Sequence, residues 1–260
     1  MSALLELKQL TKIISNQADE DNKILDSVDF TLNEGEFVTV LGGNGAGKST
    51  LFNSITGSTE TTGGTVQLNG KNITNWKEEK RAGYISRVFQ DPKMGTAPRM
   101  TVAENLFLAQ LRGKKKTLKP RGLKKQKAGY QELCASIGNG LERHIDTPAG
   151  QLSGGQRQSL SLLMATMSRP ELLLLDEHTA ALDPKTSKRL MQLTDELIKE
   201  QRLTCMMITH QMEDALVYGN RLIVMKDGEI TLDLNQQEKD QMTLKDLLKL
   251  FEEDKLTPTI

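Results

Sequence analysis

Residues 42–50 read GGNGAGKST, and this stretch decides how the rest of the chain is interpreted. It fits the phosphate-loop pattern, in which backbone N–H groups converge on a phosphate and a lysine reaches its outer oxygens. Glycine is needed there because a β-carbon would hold the anion away from the amides. The predicted nucleotide-binding residues are Gly42, Gly43, Asn44, Gly45, Ala46, Gly47, Lys48, Ser49 and Thr50. We expect Lys48 to contact the β- and γ-phosphates of ATP and the Ser49 hydroxyl to bind Mg²⁺.

The segments around this loop have the composition that a phosphate loop requires. Residues 36–41 are typical of a strand, and residues 49–56 can form a helix whose N-terminal dipole faces the phosphates. Residues 5–14, 24–32 and 65–68 are also strand-like. Together they predict a small β-rich face around the nucleotide.

A second glycine-rich segment, LSGGQ at residues 152–156, precedes an apolar stripe at helical spacing. Ser153 and the two glycines then lie at a helix N-terminus, where exposed amides form an anion site. Two phosphate-binding helix starts in one chain would be redundant unless one serves another nucleotide, which favours a dimer. An ordinary capped helix with a flexible entry is the alternative.

Two carboxylates follow the apolar residues 172–175 of a predicted buried strand. Ligands of open α/β sheets bind at this edge of a strand. Asp176 suits a direct or indirect hold on Mg²⁺, and Glu177 suits the base that orients and deprotonates the attacking water. A solvent-facing acidic pair is the alternative.

The C-terminal part continues the alternation of strands and helices. Asp183-Pro184 is a helix start, residues 203–209 and 222–225 are strand-like, and residues 213–218 predict a short helix. The alternation indicates an α/β fold with a parallel core sheet. Thr243 precedes a last amphipathic helix, which we expect to pack on its own domain.

Composition narrows the function classes. The 260 residues contain 34 Lys and Arg and 34 Asp and Glu, so no overall basic field favours nucleic acid. Two cysteines without a CxxC motif suggest neither a disulfide framework nor a zinc site. The N-terminus lacks the apolar core of a secretory signal, and no apolar run approaches the roughly twenty residues of a membrane span. We therefore expect a cytoplasmic chain whose membrane role depends on a partner.

Residues 92–168 have a helical texture and contain a basic segment, residues 112–127, with nine Lys and Arg residues and no acidic residue. This segment could contact anionic lipid headgroups or an acidic loop of a partner. A solvated helix or loop that keeps the protein soluble remains the alternative.

The order of motifs resembles the ATP-binding cassette family over essentially the whole chain. The motifs are the phosphate loop, VFQDP at 88–92, LSGGQ, LLLLDE at 172–177, ALD at 181–183 and ITH at 208–210. The resemblance implies a single domain, residues 1–260, of the α/β phosphate-loop NTPase class, with a mostly parallel core sheet and an antiparallel β subdomain. Residues 1–91 and 169–260 would form this core, and residues about 92–168 an inserted helical subdomain.

The resemblance also implies roles for individual residues. Gln90 would sense Mg²⁺ and the attacking water, His210 would contact the γ-phosphate, and Asp183 would shape a dimer seam. The residues that would close on ATP held by the other subunit are Ser153, Gly154, Gly155 and Gln156. His144 lies outside these motifs and is interpreted as structural.

The sequence departs from the family pattern at two positions. Ile14 stands where an aromatic ring usually stacks on adenine, so an aliphatic contact would replace a stacking interaction worth about 0.5 to 1.5 kcal/mol. His178 stands where proline is usual, and both neighbouring carboxylates are retained. His178 is also interpreted as structural.

Among family members, the chain resembles cassettes of bacterial importers with branched-chain-amino-acid-type permeases, including those of tryptophan or tyrosine. The resemblance implies a homodimer at the cytoplasmic face of the membrane. Its partners would be integral membrane permease subunits and an extracytoplasmic substrate-binding protein. The alternatives are an exporter cassette, a soluble cassette ATPase acting on ribosomes, DNA or Fe–S assembly, and a phosphate-loop kinase.

Overall fold

Strands and helices alternate along most of the chain. The computed structural model describes residues 2–15, 21–114 and 122–253. The strands are β1 Ala3–Ser15, β2 Asp21–Asn33, β3 Phe37–Gly42, β4 Gly63–Leu68, β5 Lys71–Asn72, β6 Ile85–Val88, β7 Leu172–Asp176, β8 Cys205–Ile208, β9 Arg221–Lys226 and β10 Glu229–Leu234. The α-helices are α1 Lys48–Thr56, α2 Glu78–Arg81, α3 Pro92–Gly95, α4 Val102–Gln110, α5 Leu123–Ile137, α6 Gly154–Thr166, α7 Pro184–Gln201, α8 Met212–Val217, α9 Gln236–Gln241 and α10 Leu244–Glu253. Two compact units are formed, one by Met1–Asn75 with Met206–Ile260 and the other by Trp76–Cys205.

The first unit contains an antiparallel sheet with the strand order β2-β1-β4-β5. Strands β1 and β2 have 13 residues each and pair along most of their length. Apolar side chains such as Leu5, Leu7, Leu25 and Leu32 are buried, while many of their neighbours are exposed. This half-buried pattern is typical of an antiparallel sheet with one face on a core. The predicted β-rich face is therefore confirmed.

Parallel pairing occurs in both units. In the first, β3 runs parallel to β9, and β10 returns antiparallel to β9. In the second, β6 runs parallel to β7. All residues of β3 and β7 are buried, which explains why these strands are mostly apolar and do not alternate with polar residues. The α/β class with a mostly parallel core sheet and an antiparallel β sheet is confirmed.

Helices cover the strands of the first unit. α1 contacts β2 and β3 and buries Leu51, Phe52 and Ile55. α10 joins a cluster with β3 and β9 through Leu247, which is fully buried. The predicted packing of the C-terminal helix on its own domain is therefore confirmed.

The second unit is mainly helical between β6 and β7. Helices α4, α5 and α6 share one core, in which Leu106, Cys134 and Leu160 are fully buried. The predicted helical texture of residues 92–168 is confirmed, with 3-10 turns at Leu141–His144 and Ala149–Gln151. Of the basic segment, residues 115–121 lie outside the described residues. Within the described ranges, no helix has both the length and the apolar character to cross a membrane.

Candidate functional site

The predicted phosphate loop connects the end of β3 to the start of α1. Gly42 ends the strand, Gly47 is the N-cap, and Lys48 is the first helical residue. Gly47 has φ +94°. Residues 43–45 form an exposed tip, whereas Lys48 is buried. The strand, loop and helix thus follow one another as the sequence predicted.

Close packing at the base of the loop explains why Gly47 has no side chain. A β-carbon at this position would lie 2.6 Å from the carbonyl oxygen of Ile24. The Gly228 N–H donates to the Ala46 carbonyl at 3.3 Å, and the Asp26 N–H donates to the Gly228 carbonyl at 3.0 Å. The β9–β10 turn and the first part of β2 therefore pack against the base of the phosphate loop.

The Lys48 ammonium lies against the loop itself. Its Nζ donates to the carbonyl oxygens of Gly42 at 2.7 Å and Gly43 at 2.8 Å. These contacts place a positive charge among backbone groups at the N-terminus of α1, where the helix dipole also favours anions. The loop therefore has the electrostatic character of an anion site.

His210 and Ile14 also belong to the first unit. The Thr209 N–H donates to the Val40 carbonyl in β3 at 3.2 Å. Val40 lies two residues before Gly42, the last residue of β3. His210, which follows Thr209, therefore lies near the end of β3 at which the phosphate loop begins. Its side chain is exposed.

Ile14 pairs with Asn22 across β1 and β2 and is 49% exposed, which is unusual for a large apolar residue and leaves its surface accessible.

In the second unit, Asp176 ends β7, Glu177 follows it, and Gln90 lies just after β6, the adjacent parallel strand. Val88 pairs with Leu175, so residues after both strands emerge at the same edge. Asp176 is buried, Glu177 is half-buried and Gln90 is exposed. The strand-edge position expected for the two carboxylates is confirmed.

Arg87 is a functional candidate that sequence reasoning missed. Its Nη2 lies 2.5 Å from Asp176 Oδ2, and its guanidinium carbon lies 4.8 Å from the Phe89 ring centroid. The Phe89 carbonyl in turn accepts a hydrogen bond from Gln158 Nε2 of α6 at 2.9 Å. Only the register of β6 and β7 could have indicated the ion pair, because Arg87 and Asp176 lie 89 residues apart in sequence.

The backbone turns sharply after Asp176. Glu177 has φ +47°, a left-handed conformation, and its carbonyl accepts from the Ala180 N–H at 2.9 Å. His178 is buried, and its Nε2 lies 3.0 Å from Thr194 Oγ1. Burial lowers the pKa of His178 to about 4, so the imidazole is neutral at neutral pH. This environment agrees with the structural interpretation of His178. The half-buried His144 has its Nδ1 3.3 Å from Thr147 Oγ1.

The LSGGQ segment begins α6 with a capping box. The Ser153 hydroxyl accepts from the Gln156 N–H at 3.3 Å, and the Gln156 side chain accepts from the Ser153 N–H at 3.2 Å. A β-carbon on Gly155 would lie 2.5 Å from the Thr186 methyl, so the segment lies directly against the start of α7. α6 is therefore a capped helix, and its N-terminus also lines a cleft.

This cleft has a volume of about 460 Å³. It is lined by Asn139, Ser153, Gly154, Gly155, Gln156, Ala181, Leu182, Asp183 and Thr186. The Asp183 side chain caps α7 by accepting from the Thr186 N–H at 3.1 Å, and contacts with Thr186 lower its pKa. The structure thus brings the LSGGQ residues and Asp183 together in one concave surface.

Oxygen donors suitable for Mg²⁺ are present among the predicted residues. Ser49 offers a hydroxyl, Gln90 an amide oxygen and Asp176 a carboxylate, which are the ligand types that this ion prefers. Among the described residues, no group of three or more His, Cys, Asp or Glu side chains could hold a metal ion. Mg²⁺ commonly binds through one or two carboxylates plus phosphate oxygens, so the Asp176 carboxylate suits an ion that arrives with a nucleotide.

Comparisons with known proteins agree with these features. Residues 25–180 match the family model described as ABC transporter. The chain is 45% identical over 249 residues to the tyrosine transport ATP-binding protein of Clostridioides difficile, covering 96% of this chain and 99% of that protein. It is 32% identical over 240 residues to the spermidine/putrescine import ATP-binding protein PotA of Haemophilus influenzae, covering 90% of this chain but 59% of the longer relative. A dimeric, post-hydrolysis structure of the ATP-binding cassette MJ0796 bound to ADP and Pi matches with a TM-score of 0.76 and 30% identity, covering 90% of this chain and 99% of that chain.

Proposed function

The chain belongs to the ABC transporter family of ATP-binding cassette ATPases, and from this premise we propose that it powers a bacterial amino-acid importer. It would form a homodimer at the cytoplasmic face of the membrane, bound to integral membrane permease subunits. An extracytoplasmic substrate-binding protein would deliver the solute. The domain organisation is also a proposal, with residues 1–260 as one cassette and residues about 92–168 as its helical subdomain.

The observation that carries the dimer proposal is the cleft at the N-terminus of α6. This helix start and the phosphate loop at α1 both present backbone N–H groups, and each suits an anion. A phosphate loop binds one nucleotide, so the second helix start serves a nucleotide held by another copy. The exposed Ser153 and Gly154 and the half-buried Gln156 leave the cleft accessible to such a partner.

The predicted site residues then have defined tasks in ATP hydrolysis. The phosphate loop binds ATP, with Lys48 on the β- and γ-phosphates. Mg²⁺, held through Ser49, Gln90 and Asp176, would neutralise phosphate charge when it is bound. Glu177 accepts a proton from the attacking water, Gln90 senses that water, and His210 contacts the γ-phosphate. Ile14 packs an aliphatic surface on the adenine ring.

Coupling to transport follows from a shift between two states. ATP at both interfaces favours the closed dimer, which Ser153, Gly154, Gly155, Gln156 and Asp183 complete across the seam. Hydrolysis removes the γ-phosphate contacts and allows the dimer to open. The permease would change between inward-facing and outward-facing states in response, because each state binds a different cassette arrangement.

Tyrosine is the first solute to test, because the 45% identical relative is a tyrosine transport ATP-binding protein. The cassette does not contact the cargo, so this assignment depends on the whole transporter. Deletion of the gene in its host should reduce uptake of labelled tyrosine, and a plasmid copy should restore it. Normal tyrosine uptake with a loss of spermidine uptake would contradict the amino-acid assignment.

The direct test of the mechanism is the oligomeric state of Glu177→Gln by light scattering. This variant keeps the phosphate and Mg²⁺ contacts and should lose about two to four orders of magnitude in turnover. We expect a monomer without nucleotide and a dimer with MgATP. The matched control, Lys48→Ala in the same background, should stay monomeric because it binds ATP weakly. A Glu177→Gln monomer with ATP demonstrably bound would contradict the shared site.

A further inference from the structure

His178 connects the segment after β7 to the middle of α7. Its side chain is 2% exposed, and its Nε2 lies 3.0 Å from Thr194 Oγ1. Thr194 is fully buried. A buried polar side chain is expensive unless it is hydrogen-bonded, so this contact holds the imidazole in one place.

The direction of the hydrogen bond follows from its neighbours. Thr194 Oγ1 lies 2.7 Å from the Leu190 carbonyl oxygen, to which its only proton is donated. The hydroxyl oxygen must therefore accept from His178, and Nε2 carries the proton. His178, Thr194 and Leu190 form a directed chain of hydrogen bonds that ends on the backbone of α7.

The residue just before His178 has an unusual backbone. Glu177 has φ +47°, a conformation that residues with a β-carbon adopt rarely and that the surrounding structure must maintain. Two features are placed to do so. The Ala180 N–H donates to the Glu177 carbonyl at 2.9 Å, and the anchored His178 side chain fixes the next residue. Proline, which is usual at position 178 in the family, offers no side-chain hydrogen bond to α7.

We propose that His178 is a positioning residue, whose hydrogen bond to Thr194 fixes the backbone of Glu177 and thereby directs its carboxylate toward the attacking water. This inference rests on the proposed role of Glu177 as the base. It assigns no proton transfer to His178. In this chain, a side-chain anchor on α7 stands at the position where proline is usual in the family.

Matched pairs of variants separate the hydrogen bond from the volume of the side chain. Thr194→Val removes the acceptor, whereas Thr194→Ser retains it. His178→Leu removes the donor, whereas His178→Gln retains an N–H group at similar reach. We expect Thr194→Val and His178→Leu to lower kcat about 10- to 100-fold, because small misplacements of a catalytic group have effects of this size. The KM for ATP and the affinity for MgATP should be unchanged, and the two conservative variants should keep most of the activity.

Stability and a second background distinguish positioning from simple structural damage. The rates are compared at a temperature where circular dichroism shows all variants folded. A lower Tm with unchanged kcat in both Thr194→Val and His178→Leu would overturn the proposal. In the Glu177→Gln background, Thr194→Val should cause no further loss, and an equal fold-loss in both backgrounds would also overturn it. Parent-like hydrolysis by Glu177→Gln alone would instead contradict the base role within the proposed function.

Discussion

Arg87 and Asp176 form an ion pair at the carboxyl edge of β6 and β7, with Nη2 2.5 Å from Oδ2. Their side chains are only 11% and 13% exposed, so the two opposite charges compensate each other in a mostly buried setting. Asp176 is the carboxylate that we assign to Mg²⁺. The negative charge of Asp176 is already balanced by Arg87. We therefore expect Asp176 to contact Mg²⁺ through a bound water molecule rather than by direct coordination.

This pair predicts strong energetic coupling in the nucleotide-free protein. Arg87→Met and Asp176→Asn should each lower the free energy of unfolding by about 2 kcal/mol, because each removes one of the two opposite charges from a mostly buried ion pair. The double variant should lose less than the sum, with a coupling energy of about 1 kcal/mol or more. Urea unfolding without Mg²⁺ or nucleotide measures all four proteins. Additive losses would contradict the coupling.

The fold was largely predictable because its motifs and strands are local features. The phosphate loop, the LSGGQ helix start and the apolar strands were all predicted close to where they are observed. The strands β5, β6 and β10 and the helices α2 and α9 were not predicted. β6 is short and contains Arg87, and α9 has no apolar stripe. The alternating EITLDL of β10 and the Asn235-x-x-Glu238 capping box of α9 were usable signals.

The contacts around the candidate site were less predictable for a physical reason. The pairs Arg87–Asp176 and His178–Thr194 depend on strand register and on the packing of a helix against a loop. Neither contact can be inferred from the spacing of residues along the chain. The departure from proline at position 178 was visible in the sequence, but its partner Thr194 was not. The sequence therefore predicted the residues to which we assign roles in ATP binding and hydrolysis. The structure added Arg87 and Thr194, which contact Asp176 and His178.

The packing of Gly47 predicts a large effect from one methyl group. Gly47→Ala would force a β-carbon to within 2.6 Å of the Ile24 carbonyl oxygen at φ +94°. We expect a loss of about 3 kcal/mol in the free energy of unfolding, from backbone strain plus overpacking. The affinity for a fluorescent ATP analogue should also fall, because α1 would shift at its first turn.

Gly35 provides the matched control for that variant. It has a similar positive φ of +79°, but a β-carbon there would meet nothing within 4 Å. Gly35→Ala should therefore cost only the conformational penalty, about 1 kcal/mol, and leave nucleotide affinity unchanged. Equal losses of stability in the two variants would show that the contact with Ile24 is unimportant.

The lowered pKa of Lys239 leads us to expect that the free energy of unfolding depends on pH. The buried ammonium donates to the carbonyl oxygens of Tyr218 and Gly219, and burial lowers its pKa from 10.5 to about 8. Between these values the unfolded chain binds more protons than the folded one, so this lysine makes stability rise with pH in that window. Well below pH 8 the lysine is protonated in both states and contributes no slope.

The comparison with Lys239→Met isolates this contribution. Urea unfolding at pH 7.5, 9 and 10 should show the difference in unfolding free energy, parent minus variant, growing in favour of the parent as pH rises. Methionine keeps much of the side-chain volume and does not titrate. A difference that stays constant across this range would mean that the lysine has an ordinary pKa in the folded protein.

Ser153 allows the cap of α6 to be separated from the proposed contact with a partner's ATP. Ser153→Ala removes the hydroxyl that accepts from the Gln156 N–H and should cost about 1 kcal/mol of stability. Ser153→Arg removes the same cap and adds a bulky cation to the cleft. Because the phosphate loop belongs to a different segment, MgATP affinity of the monomer should be unchanged in both variants.

The two variants should differ in ATP-dependent association. In the Glu177→Gln background, Ser153→Arg should remain monomeric with MgATP, because the arginine occupies the space that the partner's phosphates need. Ser153→Ala should still dimerise, at a higher ATP concentration, since it loses one contact but leaves the cleft open. Light scattering against ATP concentration measures both. Normal dimerisation of Ser153→Arg would contradict the assignment of this cleft to the ATP of a second subunit.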